Sequence, residues 1–205
     1  MTFETTTHSI SYLTSRYSYL AQMKQVEDAE ILQKFGVEQT QNEAFNLLLN
    51  KYQQKIYWHI RRLVINHDDT DDLVQETFVK VWKNLAKFRS DSQLYTWIYR
   101  IATNESITFL NKKKLKNNIS LDDVSGELAD SLASSSYFDG DKLQRKLQEA
   151  ILTLPEKQRI IFNMKYFDDM KYDEISEVLG TSVGALKASF HIAAKKIESI
   201  LINED

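Results

Sequence analysis

Between Glu43 and Ile65 the apolar residues Phe45, Leu48, Leu49, Tyr52, Ile56 and Ile60 recur at steps of three and four. That spacing places them on one stripe of an α-helix and does not suit the period of two that a half-buried strand requires. After the interruption NHDDTDD the stripe resumes with Leu73, Val74, Phe78, Val81, Trp82 and Leu85, and after KFRSDSQ a third run extends from Leu94 through Leu110. A single proline and five glycines in 205 residues leave little turn chemistry for a sheet of many short strands. The expected fold is all-α, with two small helical domains joined by a flexible linker.

The boundaries follow from shifts in composition. Residues 1–24 are rich in Thr, Ser and Tyr without a sustained helical period and are expected to be a poorly ordered extension, with Met23 an alternative translation start. Residues 25–111 form the first helical domain. Residues 112–142 are basic, then acidic and serine-rich, and cannot bury enough apolar surface to order themselves strongly, so they are read as the linker. Residues 143–205 form the second domain.

Charge and chemistry narrow the function classes. With 26 Lys and Arg against 29 Asp and Glu the net charge is -3, so any nucleic-acid binding must come from local rather than overall charge. The absence of cysteine excludes disulfides and thiolate metal sites. No apolar run is long enough to span a bilayer, and the start lacks the basic-then-apolar order of a secretory signal. A cytoplasmic protein without membrane insertion is expected. His8, His59, His67 and His191 are scattered, no glycine loop offers to cradle phosphate, and the carboxylates cluster at helix starts where capping explains them. No enzyme activity, metal, cofactor or small-molecule substrate is expected.

Three stretches carry the functional reading. In EISEVLGTSVGALKASFHIAAKK, Ile175, Val178 and Leu179 mark the inner face of a helix that Gly180 ends, Ser182 caps the next, and Val183, Leu186 and Phe190 continue the packing. Gly184, Ala185, Lys187, Ala188 and His191 then lie away from the apolar stripe. This is the layout of a helix-turn-helix, and equally of a helical hairpin in a core. Upstream, Pro155 opens a helix packed through Ile160, Ile161, Met164 and Phe167, and Lys195 and Lys196 stand ready either for phosphates or for solvent.

In DDTDDLVQETFVKVWKNLAKF, core packing accounts for Val74, Phe78, Val81 and Leu85 but not for the outward set Asp72, Gln75, Glu76 and Trp82. These make either a solvated acidic face or a protein-binding surface. In KFRSDSQLYTWIYRIATNESITFLNKKKLK, Leu94, Trp97, Ile98 and Ile101 are expected inward, and Tyr95, Tyr99 and Arg100 on another face, ahead of Lys112, Lys113, Lys114 and Lys116. Aromatics interleaved with cations suit unstacked bases above a neutralised backbone, and also suit ordinary half-buried packing.

In order and spacing these stretches resemble the sigma-70 family of bacterial transcription initiation factors, in its two-domain extracytoplasmic-function (ECF) group, over residues 25 to 200 or so. DDLVQETFVKVWKNL looks like the region 2 helix that grips the largest polymerase subunit, YTWIYRIATN like the neighbouring promoter-melting helix, and LTLPEKQRIIFNMKYFDDMKYDEISEVLGTSVGALKASFHIAAKKI like region 4. The resemblance implies that Asp72, Gln75, Glu76, Phe78 and Trp82 contact core RNA polymerase. It implies that Phe88, Arg89, Ser90, Tyr95, Trp97, Tyr99, Arg100, Asn104, Lys112 and Lys113 meet the minus-ten element, with a base flipped between the Phe88–Leu94 loop and Asn104. It further implies that Ser182, Val183, Gly184, Lys187, Ala188, His191 and Lys195 meet the minus-thirty-five element. The implied partners are core RNA polymerase, promoter DNA and an anti-sigma factor. Thr108 and Asn111 stand where the family often has an acidic residue and an arginine, and Ser189 and Ala194 where its recognition helix usually carries arginines. The competing reading is a polymerase-independent helix-turn-helix regulator.

Overall fold

The computed structural model describes residues 26–117 and 142–203. They form α1 (Asp28–Phe35), a 3-10 turn (Glu38–Thr40), α2 (Gln41–Val64), α3 (His67–Leu85), α4 (Leu94–Asn117), α5 (Lys142–Leu152), α6 (Glu156–Tyr166), α7 (Tyr172–Leu179) and α8 (Val183–Asn203). No strand occurs among the described residues. The expectations for residues 1–24 and for most of the linker lie outside the described residues.

The chain divides between Lys51 and Tyr52 into two compact units. In the first, Ile31, Phe35, Ala44 and Leu48 are buried. Lys51 Nζ donates to the Val26 carbonyl and to Asp28 Oδ1, each at 2.7 Å, which ties the start of α1 to α2.

The second unit holds everything that bears on function. At the corner after α2, Ile65 takes a left-handed conformation at φ 63° and Asn66 caps α3, its side-chain oxygen accepting from Asp69 N at 3.0 Å. The acidic crowd expected there is present as Asp68 and Asp69 in the first turn, where the exposed amides favour negative charge. Leu73, Val74, Phe78, Val81 and Leu85 are buried on α3, which packs on α4. On α4 the buried stripe is Leu94, Ile98, Ala102 and Leu110. The helix continues seven residues past Leu110 to Asn117, so the lysines at 112–114 are helical.

The α5–α8 bundle closes around Ala150, Ile151, Leu154, Phe162, Ala193 and Ile197, with Phe167 and Phe190 packed against them. Pro155 is the N-cap of α6, where its missing amide costs nothing. Gly180 ends α7 at φ 61°, donating its amide to the Ser176 carbonyl at 2.9 Å. The turn into α8 is then set by Ser182, whose carbonyl takes the Leu186 amide at 3.0 Å and whose hydroxyl lies 3.4 Å from the Ala185 amide.

Candidate nucleic-acid interface

The side of α4 that carries Trp97, Ile101 and Asn104 faces the end of α3, and between them lies a cavity of about 360 Å3. Lys80, Asn84, Lys87 and Phe88 line one wall, and Trp97, Ile101, Asn104 and Glu105 the other. The Phe88 and Trp97 rings lie 5.2 Å apart at 46°, forming an aromatic wall. Asn104 presents an exposed amide, and Lys80 pairs with Glu105. A flat heterocycle could stack on such a wall while its edge meets amide and carboxylate groups and the lysines neutralise phosphate. The volume is within the range of small-molecule pockets.

Trp97 and Ile101, expected inward as core, are thus only partly buried and line this cavity instead. The buried stripe runs one step round the helix through Leu94, Ile98 and Ala102. Sequence reasoning missed Lys80, Asn84, Lys87, Ile101 and Glu105 as lining residues. A signal was available: 80 and 84 on one helix, with 87 just past its end, and 97, 101 and 104 on the other are each spaced at four and three.

Tyr95 and Tyr99 lie on the other side of α4, against α7. Tyr95 donates its hydroxyl to Glu174 Oε2 at 3.1 Å, and its ring meets Tyr99 edge to face at 5.1 Å. Tyr99 is 2% exposed, with its ring 4.8 Å from that of His59. Burial, reinforced by the Glu174 carboxylate, pushes the Tyr95 phenol upward, and burial with Asp168 does the same for Tyr99, so both stay protonated. The expected minus-ten set therefore falls into two groups: Phe88, Trp97 and Asn104 at the cavity, and Tyr95 and Tyr99 against region 142–203. Arg89 and Ser90 are exposed in the loop beside Phe88, where Ser90 is left-handed at φ 57°. Arg100 is partly buried, Lys112 is exposed, and Lys113 lies 3.8 Å from Asp69.

On α3, Asp72, Gln75 and Glu76 are exposed and Trp82 is half-buried. Phe78 is 5% exposed and belongs to the core beneath this face. Val79, half-exposed, continues the stripe of 72, 75 and 76 and was not singled out from sequence. Ser182, just before α8, and Gly184, Ala185, Lys187, Ala188, His191 and Lys195 on it are exposed, while Leu186 is fully buried and Val183 is partly buried. This is the division of faces expected from the spacing. Lys187 Nζ sits 5.8 Å from the Tyr172 ring centre, and Lys196 is engaged with the Thr153 carbonyl at 2.8 Å. Arg159, buried in α6, has its guanidinium pushed down by loss of solvent. Among the described residues no group of three or more His, Asp or Glu stands where it could hold a metal ion, and no helix is long and apolar enough to cross a membrane.

Comparison with known proteins bears on these faces. Residues 48–116 match the family described as Sigma-70 region 2, and residues 144–197 that described as Sigma-70, region 4. The chain is 29% identical over 184 residues to the ECF RNA polymerase sigma-E factor of Haemophilus influenzae, covering 86% of this chain and 96% of that protein. It is 31% identical over 164 residues to the ECF RNA polymerase sigma factor SigW of Bacillus subtilis, covering 76% of this chain and 87% of that one. In fold it is similar to the sigma factor RpoE, solved with the anti-sigma factor NepR from Bartonella quintana, at a TM-score of 0.62 and 20% identity over 77% of this chain and 96% of that chain. The cavity and the acidic stripe fall in the region 2 match and the exposed face of α8 in the region 4 match, and the chain belongs to the sigma-70 family, in its ECF group.

Proposed function

We propose that this chain is a sigma factor that binds core RNA polymerase through the α3 face of Asp72, Gln75, Glu76 and Trp82, and directs it to promoters. The Phe88–Trp97–Asn104 cavity takes one base flipped from the non-template strand of the minus-ten element. The exposed face of α8 from Ser182 to Lys195 docks on the minus-thirty-five element. Extrusion of a base costs a few kcal/mol, which stacking of about 1–3 kcal/mol per base together with edge hydrogen bonds offsets.

The observation that carries this reading is the cavity itself, because Phe88, Trp97 and Asn104 of the expected contact set line one concave site. A polymerase-independent regulator would have no use for that cavity or for the acidic stripe on α3. The chain acts in the cytoplasm as a non-catalytic subunit. An anti-sigma factor is its proposed inhibitor, a reading supported by the RpoE structure, which was solved with one.

Run-off transcription with purified core polymerase on a pool of promoter fragments tests the proposal. Discrete start sites that appear only when the chain is added are expected. Tight operator protection by the chain alone, with no effect on polymerase, would favour the regulator instead.

A further inference from the structure

The face that α8 turns to solvent carries two kinds of chemistry side by side. Lys187, His191 and Lys195 follow one another at steps of four, and Ala185, Ala188 and Ile192, at steps of three and four, form a second row beside them. Ile192 is 55% exposed, while the opposite side of the helix buries Leu186, Ala193 and Ile197. A single exposed isoleucine would pass for ordinary surface. Its surroundings give it meaning. No arginine follows Arg159 in the chain, so no guanidinium stands on this face to grip guanine through two hydrogen bonds, the commonest specific contact in a major groove. Lys187 leans to one flank, its Nζ 5.8 Å from the ring centre of Tyr172 at the start of α7, and Lys196 is tied to the Thr153 carbonyl. A Cβ on Gly184 would meet no protein atom within 4 Å. Glycine there weakens the helix without an internal gain, and lets its first turn come close to another molecule.

We propose that Ala185, Ala188 and Ile192 read thymine, packing on C5-methyl groups in the major groove of the minus-thirty-five element, while Lys187 and Lys195 hold phosphates along the groove wall. The inference rests on the docking of α8 proposed above and adds the base chemistry that this docking selects. Thymine is the base that offers an apolar group in the major groove, and small apolar side chains such as alanine are among those that meet it. Duplex DNA fits this face better than a protein partner does, because the apolar row is bordered by positive charge and no acidic residue occurs between Ser182 and Lys196.

The test uses the full chain in complex with core polymerase, on a promoter found by run-off. Each thymine of the minus-thirty-five segment is replaced in turn by deoxyuridine, which removes the methyl group and keeps the base pair. At one or more positions affinity should fall about fourfold, the worth of one buried methyl. Ile192→Ala keeps a good helix former at an exposed position. It should bind the thymine duplex more weakly than the parent and lose sensitivity to deoxyuridine at one of those positions, whereas Ile192→Val should retain it. Lys187→Gln should weaken binding to every duplex alike and lower the slope of log affinity against log salt by about one, with the deoxyuridine effect intact. Deoxyuridine tolerated at every position, a segment that needs no thymine, or an Ile192→Ala chain still sensitive at all positions would overturn the reading of thymine. So would a parent chain that self-associates through this face, seen as a dimer that Ile192→Ala dissolves. If scrambling the whole segment left affinity unchanged, α8 would not dock there, and that part of the proposed function would fall together with the inference. If scrambling cost affinity and deoxyuridine did not, the docking would stand and only the reading of thymine would fall.

Discussion

Trp97 stands half-buried beside Phe88 with open space before it, where a residue serving only the core would be covered. If it stacks on an extruded base, Trp97→Ala forfeits about 1–3 kcal/mol of that contact. Open-complex formation with polymerase is then expected to slow by about 10- to 100-fold, measured by stopped-flow fluorescence, while binding of the chain to core enzyme stays unchanged. A comparable loss of core binding would instead mark Trp97 as structural. At this scale the sequence was only partly legible. Period alone could place Leu94 and Ile98 in the core, but Trp97 and Tyr99 both sit at its margin, and which one is covered depends on elements distant in the chain. Tyr99 is covered because α2 and the α6–α7 turn reach it. No local pattern encodes that.

The helices themselves were more legible because their causes are local. The three-four stripe of α3, its acidic first turn, and the Gly180–Ser182 junction all appear where the sequence places them. The junction can be probed directly. A Cβ on Gly180 would meet no atom within 4 Å, so the cost of Gly180→Ala is purely that of holding an L-residue at φ 61°. Urea unfolding should show a loss of about 1 kcal/mol, with Ala tolerated sterically; no loss would mean the turn relaxes to another geometry. The C-terminal extent of α4 was less legible. Lysine-rich sequence looked like the edge of a linker, yet lysine is a good helix former, and Lys113 and Lys114 are held by Asp69 and Glu156. Likewise Phe78 shares a sequence neighbourhood with the acidic face but is buried beneath it, two residues on from Glu76 and so turned away from it.

For the whole molecule, the net charge of -3 and the modest cation content of α8 fit a protein that takes most of its DNA affinity from the enzyme it joins. In the proposed function region 2 offers its acidic stripe to that enzyme and its cavity to one base, and region 4 offers its exposed helix face. The order of these parts was readable from sequence because each part has its own spacing. Their mutual contact was not, since the Asp168–His59 pair joins residues more than a hundred positions apart. The most direct test of the central claim is the transcription reconstitution read for strand opening. Core polymerase with the chain, on a promoter identified by run-off, should make thymines of the minus-ten segment reactive to permanganate, and core polymerase alone should not. A chain that binds core enzyme stably yet opens no template from the pool would contradict the account.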